Sequence, residues 1–153
     1  MQEYTQEIPA WKWTVQTTGN EMYRLSRQYS ADVMPYIGLS LEEFHKFVAS
    51  IPYRRDPDGE EYLSRPLAIF QDVGRGLDCD QKAIAIGAYC ELRNIPYRYI
   101  AVGKFANKPL HHVLVIVQIG DKWLPMDATY PHSVPFVWMS NYEKRVVLQP
   151  PNA

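Results

Sequence analysis

The chain has 153 residues, 46% of them hydrophobic and 22% charged, an ordinary globular composition that excludes a disordered chain. Lys and Arg number 16 against 17 Asp and Glu, a formal net charge of −1 that excludes nucleic-acid binding by bulk charge. The length suits one domain spanning 1–153, able to bury roughly 70% of its unfolded surface.

The first seven residues hold Glu3 and Glu7 but no Lys or Arg, so they lack the basic start of a secretory signal. Trp11 and Trp13 follow without a clear period. Gly19-Asn20 reads as a stop, and Asn20 to Ala31 as a short helix with Met22, Leu25 and Tyr29 on one face. Pro35 ends that segment. Ser40 is an N-cap with Glu43 three residues on, a capping box. It precedes an apolar stripe of Leu41, Phe44, Phe47 and Val48, which Pro52 ends. Tyr53 to Glu61 is a polar run rich in turn residues and reads as a solvated loop; its DPDGEE lacks the spacing of a calcium loop. Leu67 to Val73 reads as a helical turn broken by Gly74 and Gly76.

The second half is more sharply punctuated. Asp78 caps a helix from Cys79 to Arg93, Gln81 completes a second capping box, and Asn94 and Pro96 mark the exit. Ala83, Ile84, Gly87, Cys90 and Glu91 trace one face of it. Tyr97 to Val102, Val113 to Ile119 and Trp123 to Asp127 are rich in β-branched and aromatic residues and predict strands. Gly120-Asp121 joins the last two as a two-residue hairpin turn. A further strand is expected around Arg145 to Leu148, within a Pro-rich C-terminal stretch. Helices followed by antiparallel strands predict an α+β fold. The most apolar run, Pro109 to Gly120, is about a dozen residues with two His, too short to span a bilayer.

Cys79 and Cys90 fall on one predicted helix, about 16 Å apart, too far for a disulfide. Cys90 lies mid-helix and reads as a core residue. Cys79 occupies the first helical position, where unpaired backbone N–H groups and the helix dipole favour a thiolate. Asp78 and Asp80 oppose that charge, so a nucleophile here needs a cationic partner. The candidates are His45, His111, His112 and His132. His45 reads as a surface residue beside the apolar stripe, and His132 sits in a Pro-rich loop. The two-residue turn pairs Ile119 with Lys122, which places Leu114 opposite Asp127 and His112 opposite Thr129. His112 and Asp127 then share a face as diagonal neighbours, about 7–8 Å apart at the backbone, while His111 points to the other face. A Cys at a helix start, a His on one strand and an Asp on the next are the parts of a nucleophile, a base and its orienting carboxylate. The Cys79 N–H is a candidate oxyanion donor.

The segment GLDCDQKAIAIGAYCELRNIPYRYIAVG resembles the nucleophile helix, connection and following strand of transglutaminase-like domains, a branch of the papain-like cysteine hydrolases and acyltransferases. HVLVIVQIGDKWLPMDATYP resembles their His strand, hairpin and Trp-x-x-x-Asp strand, and FVASIPYRRDPDGEEYLSRP their lead-in. Asn94 stands where that family usually has Gly. The likeness covers roughly Leu41 to Pro131. It implies Cys79 as nucleophile, His112 as base, Asp127 as orienter and Trp123 as a packing residue near the site. Gln71 is the nearest upstream amide that would serve as a side-chain oxyanion donor; its plainer reading is a surface amide. The resemblance implies a thioester intermediate from a peptide or amide bond, in compact domains of bacterial or bacteriophage type; no cofactor and no metal is expected. Implied substrates are proteins or peptides, a peptidoglycan peptide among them, and the expected location is cytoplasmic or virion-associated. The alternative is an assembly component, such as a phage tail or baseplate part, that keeps the fold without activity. A metal site from Cys79, His111, His112 and Asp127 is disfavoured, because adjacent His on a strand point apart and close ligand pairs are missing.

Overall fold

The computed structural model describes residues 5–9, 15–55, 60–71 and 76–151. Trp11, Trp13, the centre of the DPDGEE run and Gly74 lie outside them. The elements are β1 Thr5–Pro9, α1 Val15–Gln28, a 3₁₀ helix Ser30–Tyr36, α2 Leu41–Ser50, β2 Glu60–Ser64, α3 Pro66–Gln71, α4 Cys79–Arg93, and β3 to β6 at Tyr97–Gly103, His112–Ile119, Lys122–Pro125 and Lys144–Leu148. The fold is α+β: helices gather around α4, which packs on an antiparallel sheet in the order β5-β4-β3-β6.

Both capping boxes are formed. Ser40 Oγ accepts from Glu43 N–H while Glu43 Oε1 accepts from Ser40 N–H, and Asp78 and Gln81 make the same exchange at α4. Asn94 closes α4 in the left-handed conformation, φ 58°, as its place after the last turn requires. The single-face reading of α4 is too narrow, since every residue from Lys82 to Cys90 is buried. A helix surrounded on all sides has no polar face to show. Its small residues allow this closeness: a Cβ on Gly87 would stand 2.1 Å from the Tyr99 hydroxyl oxygen.

Two other expectations are corrected. Gly19-Asn20 does not stop a helix, because α1 runs through it. Gly19 is there for close approach, and a Cβ on it would meet Leu148 Cδ1 at 2.7 Å. The polar run after Tyr53 is not loop to its end either. Glu60–Ser64 forms β2, which pairs antiparallel with β1, Thr5 opposite Ser64.

Both sheet faces are covered. Tyr97, Tyr99, Ala101, Val115 and Val117 enter the main core with the helices. Ile100, Val102, Leu114 and Ile116 form a smaller cluster on the opposite face with Tyr142 and Trp138. Those two come from the irregular chain between β5 and β6, which returns to pair β6 with β3. The hairpin register is that of a two-residue turn, with Ile119 opposite Lys122 and Ile116 opposite Pro125. Met126 N–H to Val115 O, 2.8 Å, carries it one residue further and aims the chain at Asp127.

Candidate active site

Cys79 begins α4, and the approach to it is fixed by the preceding chain. Tyr53 and Leu77 form a parallel bridge, with Leu77 N–H to Pro52 O at 2.8 Å and Arg54 N–H to Leu77 O at 2.9 Å. Gly76 makes the turn into it at φ 82°, where a Cβ would come within 2.9 Å of Pro52 O. Tyr53 lies beside Asp78 and Cys79: burial first, then the charges of those two residues, raise its pKa and keep its hydroxyl protonated.

His112 opens β4, and its Nε2 meets Asp127 Oδ2 at 2.8 Å, with both side chains largely covered. Burial alone would raise the Asp127 carboxyl. His112 and Thr129 together outweigh it, the Thr129 N–H and hydroxyl donating to Oδ1 at 3.0 and 2.5 Å, and the carboxyl is held below its usual range. An ionised carboxylate only accepts, so Nε2 carries the proton and Nδ1 is left with a lone pair. Tyr142 stacks on the imidazole, ring centroids 6.1 Å apart and planes 29° from parallel.

The backbone N–H of Val113, the residue after His112, stands close enough to the Cys79 thiol to favour its charged form, so α4 and the start of β4 approach each other there. Burial, then Asp80 and Asp78, push the thiol well above its usual pKa; the Val113 N–H pulls the other way and Asp127 adds to the rise. The depressed thiol expected of a helix start is therefore not the resting state. Charge on the sulfur requires a proton to leave to a neighbour that becomes positive.

The other candidates separate from this group. The Cys79 N–H donates to Asp78 Oδ1 at 2.7 Å and is engaged by its own cap, not free for an oxyanion. Gln71 is exposed at the end of α3 and hydrogen-bonds to none of Cys79, His112 or Asp127. Trp123 is 39% exposed on β5, under the Arg98 guanidinium and four residues before Asp127; the aromatic ring packed at the site is Tyr142. His111 is exposed, and its Nε2 accepts from Lys104 N–H. His132 is exposed and stacks on Tyr130. Cys90 is a buried core thiol, and both cysteines are free. Among the described residues no three His, Cys, Asp or Glu side chains gather as a metal site would need.

His45 is a correction. It is wholly buried, and its Nε2–H donates to the Asp127 carbonyl at 2.6 Å. An apolar stripe was visible around it, but not the backbone it would meet 82 residues later. Lys82, also buried, donates from Nζ to the carbonyls of Thr129, 2.8 Å, Ile51, 2.5 Å, and Ala49, 3.4 Å. Tyr53, Tyr142, Lys82 and Thr129 were not singled out from sequence. Only Thr129, two residues after Asp127, carries a local signal, the short hydrogen-bonded turn that Asp favours.

No protein-family model and no curated protein matches the chain. Among solved structures, the chain is similar to a protein from Cytophaga hutchinsonii described as a "putative cysteine protease". The likeness has a TM-score of 0.50 and 13% sequence identity, over 97% of this chain and 65% of that one. The chain thus spans 65% of the neighbour's length, and the likeness is one of fold alone. No helix among the described residues is long and apolar enough to cross a membrane.

Proposed function

We propose that the protein is a cysteine-dependent hydrolase or acyltransferase acting on a peptide or amide bond. The observation that carries this reading is the approach of the start of β4 to the Cys79 thiol, where Val113, whose N–H favours charge on the sulfur, follows a His112 whose Nε2 is fixed on Asp127. Nδ1 of His112 takes the thiol proton, and the sulfur adds to the carboxamide carbon. The C–N bond then breaks, with the His112 proton passing to the leaving amine, and leaves a thioester on Cys79. Water or an amine then gives its proton to Nδ1 and adds to the thioester carbon. The C–S bond breaks, and the proton returns to the Cys79 sulfur. Asp127 stabilises the imidazolium formed in each half.

The sequence resemblance takes this reading further, to compact transglutaminase-like domains of bacterial or bacteriophage type, with a protein or a cell-wall peptide as acyl donor. The test is the rate of iodoacetamide labelling against pH. The wild type is expected to label at Cys79 with a plateau below pH 8, lost in His112→Ala, and Cys79→Ala is expected not to label at the site. Equal labelling of Cys79→Ala, or a rate that rises only near pH 8.5 in both other proteins as for an ordinary thiol, would refute the assignment.

A further inference from the structure

The Asp127 carboxylate is held by a chain segment with no regular structure, from Met126 to Tyr130. Its position therefore depends on what ties that segment down. Thr129 is the pivot: its N–H and hydroxyl both hold Asp127 Oδ1, and its carbonyl faces the other way, to Lys82 Nζ. The same ammonium reaches the carbonyls of Ala49 and Ile51, at the C-terminal end of α2, where helix carbonyls lack intrahelical partners and a cation is favoured. One turn earlier on α2, His45 takes the Asp127 carbonyl. Lys82 itself stands three residues after Cys79 on α4.

We propose that Lys82 is a positioning residue for the reaction, acting through Thr129 to set the Asp127 carboxylate, and with it His112, against the helix that carries Cys79. This rests on the cysteine-hydrolase reading above and adds to it a residue that touches no substrate. Burying an ammonium is costly even with the charge of Asp127 in reach, and an apolar side chain of similar length would fill the space more cheaply. What an apolar residue cannot do is bind three carbonyls from two separate segments at one point. Lys82 closes a loop of contacts in which the nucleophile's helix and the orienting carboxylate share one fixed reference.

The experiment uses Lys82→Met and Lys82→Gln, alone and combined with Asp127→Asn, in the full chain. Gln keeps a short N–H donor and serves where Met fails to fold, as read by circular dichroism. Two readouts are taken: the pH profile of Cys79 alkylation and the ¹⁵N chemical shifts of His112. The expected result is a rate at pH 6.5 lower by about tenfold or more, in keeping with the cost of small misplacements. With it should come a His112 that exchanges its Nε2–H form for a mixture of tautomers. The Lys82 change should add little once Asp127 is Asn, because its effect runs through that carboxylate. A wild-type profile and wild-type His112 shifts in a folded Lys82 variant would overturn the proposal, as would an undiminished effect in the Asp127→Asn background. Failure of the function reading shows separately, as an ordinary thiol profile in the wild type itself.

Discussion

Cys79 is held between opposing influences, and their balance decides its chemistry. Burial and the carboxylates of Asp80 and Asp78 oppose a thiolate, while the Val113 N–H favours one. Asp80 therefore costs reactivity. Asp80→Asn keeps an oxygen for the Gln81 N–H, which Asp80 Oδ1 accepts at 2.8 Å, and removes a negative charge beside the sulfur. The variant is expected to alkylate severalfold faster at neutral pH, and an unchanged rate would mean the field of Asp80 does not reach the thiol. At this scale much was legible. The helix-start position of Cys79 and the shared face of His112 and Asp127 follow from caps and a two-residue turn, which are local. Tyr53, Tyr142 and Lys82 were not, because each meets the site from a remote stretch of chain.

The elements that present these side chains are set by close approach as much as by propensity. α4 is buried throughout its centre because Ala and Gly let the sheet come near, and Gly87 is the tightest point. Gly87→Ala should raise intrinsic helix preference yet lower stability by about 1–3 kcal/mol, since the Tyr99 ring it would strike is fully buried. Chemical denaturation measures this directly; a variant as stable as the wild type would show that the sheet yields. The same physics explains why α1 starts ahead of Gly19-Asn20. Gly-Asn is a stop where the chain is free to turn away, but Gly19 lies under Leu148 and packing overrides the local signal. β1 and β2 had no clean alternation to announce them and exist through their mutual pairing.

For the whole molecule, the tertiary frame around Asp127 also sets the pH dependence of folding. Burial lowers the pKa of His45 below its usual 6.5. The unfolded chain therefore binds the proton more readily, and stability falls as pH drops below about 6.5. Asp127 is held below its usual 3.8, so its contribution is present above that value and is lost as pH falls through its lower folded-state pKa. Two successive losses are expected on acidification. The urea midpoint should fall between pH 7 and pH 5, and His45→Gln, which keeps an N–H for the Asp127 carbonyl but does not titrate, should flatten that first decline. An unaltered slope in the variant would place the loss elsewhere.

The α+β order, the limits of α4 with its two caps, the hairpin register and hence the meeting of His112 with Asp127 can all be read from the amino acids alone. The helix limits and the His112–Asp127 pairing depend on short stretches of chain, His112 and Asp127 being 15 positions apart, where backbone geometry leaves few choices. It takes the folded chain to show that Trp123 is partly exposed on β5 while Tyr142 stacks on His112, that the Cys79 N–H is taken by its own cap, and that His45 and Lys82 are buried against the Asp127 segment. Those outcomes depend on carbonyls and rings brought together across up to 82 positions of chain, where no local spacing records which partner arrives.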